Sequence, residues 1–393
     1  MAIDVKAAVK AVSQEVLALR RDIHMHPELG FQEFRTAQIV EDILNSLGMR
    51  VRRCAGTGVI GVLEGGKPGK TIMLRCELDA LPLTEENDLP FCSVNPGAMH
   101  ACGHDCNCAI QLGVAKVLAA HREELCGTVV FMFQPNEEDC GAPPMIADGA
   151  LADPRPDAII GPHVWSQLPI GTIGVVPGPQ CASSYYFKVT IRGKDTAGYM
   201  PWNGVSPITC ARHVLDAIDS IQVMEFSSPE EPTLITVGMI HSGNYMINIS
   251  AELELQGSIR CLHSNEKKVH DRFREIVEGV CKAYRCECDV EITCGNKMLE
   301  NDEALYQIMS GVCREQLGPE SVLSKNVRGF GGDDMADFFC EGIPGCYYLL
   351  GMGNPAKGST AAHHNKDFLV DEDVLDIGVE LQVRAILRYL DMQ

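Results

Sequence analysis

Cys102 and His104 stand two residues apart around a glycine in Met99-His100-Ala101-Cys102-Gly103-His104-Asp105. A thiolate and an imidazole at that spacing form a compact pair of metal ligands. Further donors follow in order: Glu137-Glu138, His163 and His363-His364. A Cys/His/Glu/His/His set suits a transition-metal site, and one of this size suits two ions. Water bound at such a site has a pKa of roughly 7, so the expected chemistry is metal-assisted hydrolysis. Of the adjacent carboxylates, one can bind metal while the other accepts a proton from water. Asp105 is expected to orient His104 from behind. Asp79, in Asp79-Ala80-Leu81-Pro82, either supports the site or caps a turn. Between His363 and His364 the residues alone do not choose. Taken singly, each feature has a plainer reading: Glu137-Glu138-Asp139 as a solvated acidic turn, His163 as a core histidine, Cys102 as a buried thiol. His24 and His26, before a Pro-Glu turn, read as helix-end residues rather than ligands, and His241 is a secondary candidate at the close of a strand.

The elements that must position these donors give them their weight. Val5 to Leu47 carries apolar residues at helical spacing. Short apolar runs follow at Val59–Leu63, Ile72–Leu74, Val129–Phe133 and Ala158–Ile160, with helical stretches such as Ala109–Leu118 between them. This alternation predicts an α/β domain around a largely parallel, buried sheet. Asp79, Glu137-Glu138, His163 and His363-His364 each follow an apolar run, the last after Tyr347–Leu350. Ligands of open α/β sheets bind beyond the carboxyl ends of the strands, so four strand ends are expected to converge on one face. The middle of the chain changes character. Tyr185–Ile191, Val205–Val223, Leu234–Ile240, Ala251–Leu262, Glu266–Ala283 and Val290–Thr293 read as β-α-β-β-α-β, a ferredoxin-like unit. The expected division is an α/β domain at 1–180 and 295–393, with the insert at 181–294.

Composition narrows the function classes. The net charge of −20 disfavours nucleic acid, since no basic stripe faces a phosphate backbone. No stretch approaches the roughly 20 apolar residues of a membrane span. The N-terminus lacks a basic-then-apolar signal pattern, and the 18 cysteines read as reduced thiols, which together predict a cytoplasmic protein. Cys106-Asn107-Cys108 and Cys286-Glu287-Cys288 fit no four-cysteine zinc pattern and read as buried thiols.

From Leu19 onward the chain resembles the aminoacylase, hippurate hydrolase and indoleacetyl-amino-acid hydrolase family of metal-dependent amidohydrolases. The resemblance rests on Leu19-Arg20-Arg21-Asp22 with His26-Pro27-Glu28-Leu29-Gly30, on Asp79-Ala80-Leu81-Pro82, and on His100-Ala101-Cys102-Gly103-His104-Asp105. It continues through Gln134-Pro135-Asn136-Glu137-Glu138, Gly161-Pro162-His163-Val164-Trp165 and Leu168-Pro169-Ile170-Gly171-Thr172-Ile173-Gly174. It implies a two-metal, aminopeptidase-like catalytic domain with an inserted ferredoxin-like lid, and a homodimer formed through that lid. It implies Cys102, His104, Glu138, His163 and His364 as metal ligands and Glu137 as general base. His364 is favoured over His363 because His364-Asn365, followed by Phe368 and Asp371, fits the family's last motif. The ions implied are zinc, manganese, cobalt or nickel. Gly332-Asp333-Asp334 resembles the family's Ser-Glu-Asp segment, and Asn248 and Arg260 resemble lid residues near substrate.

One departure follows the Cys/His pair, where the family's Asp-Gly-His-Thr-Ala becomes Asp105-Cys106-Asn107-Cys108-Ala109. The others fall in the lid. Ala197 and Trp202 stand where relatives carry histidines, in Asp195-Thr196-Ala197-Gly198-Tyr199-Met200-Pro201-Trp202. Losing one oxyanion donor typically costs about 10²–10³ in rate, so either another group, such as Tyr199 or the metal itself, supplies the role or the substrate needs it less, with Trp202 and Tyr199 reshaping the pocket. The leading expectation is hydrolysis of a small N-acyl amino acid, N-aroyl amino acid or dipeptide-like amide. The alternatives are hydrolysis of a different C–N bond, of deaminase type, on the same metal site, or a non-catalytic metal-containing binding protein.

Overall fold

The computed structural model describes residues 3–391. It divides into two compact units. One comprises Met1–Gly178, Glu300–Arg328 and Asp333–Gln393; the other comprises Pro179–Leu299 and Gly329–Gly332.

The larger unit is built on an eight-stranded sheet. Its first five strands are β1 (Arg50–Cys54), β2 (Gly58–Glu64), β3 (Lys67–Glu77), β4 (Cys126–Gln134) and β5 (Ala158–Pro169). They lie in the order β1-β2-β4-β3-β5, followed by Gly345–Gly353, Ile173–Gly174 and Val322–Leu323. β3 runs parallel to β4 and β5, and β5 parallel to Gly345–Gly353. β1 and β2 pair antiparallel, as do β2 and β4, and the short Ile173–Gly174 strand pairs antiparallel with Gly345–Gly353. The sheet is therefore mixed, parallel at its centre and antiparallel toward β1. Apolar runs reveal burial on both faces, which the strands show, but not strand direction.

Helices α1 (Val5–Met25), α2 (Phe34–Ser46) and α3 (His104–Ala120) belong to this unit, with Val374–Asp391. The Asp4 carboxylate caps α1 by accepting from the Ala7 N–H at 3.1 Å, and the helix stops before His26-Pro27, where proline disfavours continuation. Val9, Val16 and Ile23, at sevenfold spacing, supply its buried face. α3 is apolar almost all round and lies in the core. Gly113 marks how closely three helices meet there: a Cβ would come within 2.7 Å of Val16 and 2.8 Å of Val379.

The smaller unit is a four-stranded antiparallel sheet with two helices. Along the chain it runs Ser183–Arg192, helix Pro207–Ser220, Thr233–Ser242, Glu252–Cys261, helix Glu266–Ala283, Glu287–Asn296. The sheet order places the strands 2-3-1-4, the arrangement of a β-α-β-β-α-β unit. Phe187, Val189 and Ile191 alternate inward from the first strand, and Val269, Phe273 and Val277 from the second helix, to form its core. The first helix ends earlier than its apolar pattern suggests: after Ser220 the chain passes into a wider turn over Ile221–Glu225.

Candidate metal centre

Each donor sits where a strand or turn ends, within the larger unit. β3 ends at Glu77 and leads to Asp79. β4 ends at Gln134; Asn136 takes a left-handed conformation (φ 54°), and a single 3₁₀ turn carries Glu137–Asp139. β5 runs further than its apolar run indicates, through His163 and on to Pro169. Cys102 and His104 flank Gly103, which starts α3 in the left-handed region (φ 86°). Only glycine fits there on two counts: the backbone angle, and a Cβ that would lie 2.4 Å from Val164 Cγ2. That contact seats the Cys-Gly-His turn against the residue following His163.

The geometry is compact. One ligand atom each from Cys102, His104 and His163 lies within 4.8 Å of the others; so do those of Cys102, Glu138 and His364, and of His104, Glu137 and Glu138. Cys102 Sγ is 3.5 Å from His163 Nε2, and His364 Nε2 is 3.2 Å from Glu138 Oε1. His104 Nδ1 donates to the Asp79 carbonyl at 2.9 Å, and Asp79 Oδ1 stands 3.3 Å away. His163 Nδ1 donates to the Val164 carbonyl at 2.8 Å. With Nδ1 committed as the donor in both rings, each Nε2 keeps a lone pair turned toward the cluster.

The residues present fit a bound metal. His104 Nε2 is a buried atom without a hydrogen-bond partner, while the buried Glu138 Oε1 has the His364 ring 3.2 Å away. A buried polar atom left unsatisfied costs about 1–3 kcal/mol, and His104 Nε2 shares its surroundings with a thiol and a second imidazole, the donors that bind borderline-soft cations. Burial pushes the Cys102 thiol well above its ordinary range and the His163 imidazole below its own. Burial, reinforced by the negative charges of Asp333 and Asp334, raises the Glu137 carboxyl.

Beneath the donors lies a buried polar layer. Arg75 donates from Nε to Gln134 at 2.8 Å, pairs with Glu77, and reaches Asp333 at 3.1 Å and Asp334 at 2.8 Å. Gln134 donates to both Asp334 oxygens, at 2.8 and 2.7 Å. Asn107 bridges Glu77 (2.8 Å) and the Val164 N–H (3.2 Å), so the residue that departs from the family pattern after the Cys/His pair ties α3 to β3 and β5. Sequence reasoning passed over Arg75, Glu77, Gln134 and Asn107. The available signal was Arg75 and Glu77 inside an otherwise apolar run.

Asp105 does not orient His104. Asp79 does, while Asp105 turns toward α1, bonding His24 Nδ1 at 2.8 Å and lying 2.9 Å from Arg20 Nε. His24 is buried and also reaches Glu85 at 3.2 Å. His363 stands apart from the ligand groups: its Nε2 donates to the Val164 carbonyl at 2.9 Å, and burial lowers its imidazole to about 3. The four remaining candidates lie in the smaller unit. Asn248 pairs with Ala197 in a two-residue ladder, Tyr199 and Trp202 are exposed, and Arg260 donates to the Phe330 carbonyl at 2.8 Å.

Residues 73–388 match the model of peptidase family M20/M25/M40, and the chain belongs to that family of hydrolases, acting on amide bonds. It is 35% identical to thermostable carboxypeptidase 1 of Saccharolobus solfataricus, covering 95% of each chain. It is also 35% identical to an N-acyl-L-amino acid amidohydrolase of Geobacillus stearothermophilus, over 76% of this chain and 81% of that one. Among solved structures it resembles a Bacillus subtilis protein described as a dinuclear metal-binding peptidase of the M20 family. The TM-score is 0.85 at 29% identity, covering 98% of this chain and 100% of the other.

Proposed function

We propose that the cluster holds two divalent ions and hydrolyses the amide of a small N-acyl amino acid, N-aroyl amino acid or dipeptide-like compound. The observation that carries this is the convergence of Cys102, His104, Glu137, Glu138, His163 and His364 on one spot, with the buried His104 Nε2 left unpaired. The names of the relatives support the substrate class, and a dinuclear neighbour supports the ion count. Cys102, His104 and His163 form one ligand group; Cys102, Glu138 and His364 form the other. The donor set suits zinc, manganese, cobalt or nickel. Bound metal supplies a water of lowered pKa and polarises the substrate carbonyl.

Glu137 is the general base. It lies in the group with His104 and Glu138, its carboxyl 3.8 Å from His104 Nε2, and also beside Asp333 and Asp334. It takes one proton from the attacking water and delivers it to the leaving nitrogen, and the acid proton follows, so that water and amide become carboxylate and ammonium. Asp79 holds His104 in the tautomer that leaves Nε2 free, and the polar layer under Arg75 fixes the strand ends. Asn248, Arg260, Tyr199 and Trp202 are assigned to the substrate. Asn248, directly across the ladder from Ala197, is the polar side chain at the place where relatives carry a histidine.

Two ancillary readings go with this. The Thr233–Ser242 strand lies at the end of its sheet and exposes Met239 and Ile240, an edge suited to pairing with a second copy, so the protein is assigned as a homodimer through the smaller unit. Buried cysteines such as Cys76, Cys106, Cys108 and Cys346 stand as reduced thiols, which supports a reducing, cytoplasmic setting. No helix among the described residues is long and apolar enough to cross a membrane.

The test is release of free amine from a panel of N-acyl amino acids by metal-reconstituted protein. Glu137→Ala is expected to lower turnover by about 10²–10⁴ while retaining both ions. Ammonia release without a new carboxylate would redirect the reading to another C–N bond. Binding without turnover would make it a binding protein.

A further inference from the structure

His363 belongs to neither ligand group, yet it is fixed on every side. The Val164 carbonyl accepts from two imidazoles at once, His163 Nδ1 at 2.8 Å and His363 Nε2 at 2.9 Å. The His363 ring stacks on Trp165, with centroids 4.3 Å apart and planes 26° from parallel, and packs against Phe368 at 4.9 Å. The next residue, His364, sits in the left-handed region (φ 61°) and donates its N–H to the Ala101 carbonyl at 2.9 Å. A residue other than glycine holds that conformation only where its surroundings over-determine it. Those surroundings are the Ala101 bond on one side and the clamped His363 ring on the other.

Resting on the two-ion reading above, we propose that His363 is a positioning residue that places the Glu138–His364 half of the centre. It touches no ligand atom's target and no reacting group. Its Nε2–H fixes the ring against Val164, the Trp165 stack fixes the ring plane, and a single peptide unit passes that placement to His364. The other half has anchors of its own, although the His163 ring packs 5.5 Å from that of His363, centroid to centroid. His163 makes its own bond to the Val164 carbonyl, and Cys102 and His104 are seated by the Gly103 turn. The consequence is asymmetric: removing His363 affects one ion and spares the other.

The experiment is stepwise loading of the full chain with zinc, followed by native mass spectrometry and titration calorimetry, with no assay of turnover. Three variants accompany the wild type: His363→Ala, His363→Phe, which keeps a stacking ring without the donor, and His363→Gln, which returns an N–H at similar reach. The wild type is expected to take two ions. In His363→Ala the first ion binds within about threefold of wild type and the second about 10–100-fold more weakly, the range seen when a group supporting a ligand is lost. His363→Phe falls between, and His363→Gln recovers part of the difference. Two ions at wild-type affinity in both His363→Ala and His363→Phe would overturn the inference alone. Equal weakening of both ions, or a lowered melting temperature with unchanged binding, would reduce His363 to packing and overturn it as well. A wild-type chain that takes up no zinc would overturn the two-ion reading and this inference with it.

Discussion

The larger unit buries Arg20, His24, Glu33, Arg75, Glu77, Asp79, His104, Asp105, Asn107, Gln134, His163 and Asp334, whereas among the described residues the smaller unit buries only Gln180, Ser183, Ser184 and His263 of the polar kind. The first pattern is poor economy for stability. Buried ion pairs often gain no more than well-packed apolar groups of equal volume, and their loss leaves an uncompensated charge. The second pattern is an ordinary apolar core of alternating strand residues and one face of each helix. The difference locates the constraint: the larger unit must hold named atoms at fixed separations, the smaller unit must hold its shape.

The largest expected effects set two core deletions side by side. Arg75→Ala strands Glu77, Asp333 and Asp334 in the interior and should cost about 3–5 kcal/mol in urea unfolding, with loss of metal uptake. Phe273→Ala in the smaller unit should cost about as much, some 3–5 kcal/mol, by cavity formation. Its metal uptake at low temperature should survive. If both variants lose metal equally, the two units do not divide the work as described.

Acid should expose the polar side of the comparison next. Hydrogen bonds from His24, the Ser93 N–H and Asn87 overcome burial and hold the Glu85 carboxyl at about 2, against 4.5 ordinarily. A depressed carboxyl contributes stability that is complete above pH 4.5 and is lost as pH falls toward 2. The contribution is about 3 kcal/mol, from a side chain 3% exposed. Melting temperature followed from pH 5 to pH 2 should fall more steeply in the wild type than in Glu85→Gln, and parallel curves would refute the assignment.

Asp79→Ala keeps the backbone carbonyl that accepts from His104 but removes the carboxylate 3.3 Å from that ring and its bond from the Glu138 N–H, so it should weaken metal binding by about 10-fold, measured by competition with a chelator. The smallest effect belongs to the smaller unit. Ser206 accepts from the Thr209 N–H at 3.2 Å at the start of the Pro207–Ser220 helix, and Ser206→Ala should cost about 1 kcal/mol with no change in metal uptake.

Cys102 and His104 stood out in the sequence by their spacing alone; Glu137, Glu138, His163 and His364 could be singled out because each follows an apolar run, and a strand fully covered on both faces reads as such a run. The β-α-β-β-α-β order was legible for the same reason, with alternation and helical spacing taking turns. What supports the donors was less so. Asp105 adjoins His104 in sequence, and nothing in its spacing shows that the left-handed Gly103 starts a helix whose first turn points Asp105 at α1. Asp79, 25 residues upstream, becomes the partner where the end of β3 meets the start of α3. Arg75 directly follows the run Ile72–Leu74; Glu77 is its neighbour two residues on, but its other partners come from positions 134, 333 and 334, distances that no local pattern spans. The mixed direction of the sheet was hidden because burial does not encode polarity. The choice of His364 over His363 came from resemblance, and the structure gives the physical distinction: one ring faces Glu138, the other lies against Trp165.

The insertion also sets a schedule for synthesis. Cys102, His104, Glu138 and His163 precede the smaller unit in the chain, while Asp333, Asp334 and His364 follow it. About 200 residues separate His163 from His364, so at roughly 5–20 residues per second a nascent chain carries Cys102, His104, Glu138 and His163 for about 10–40 s before His364 leaves the ribosome. The two ligand groups share Cys102 but complete at different times: the one with His163 is finished early, and the one with His364 waits for nearly the whole chain.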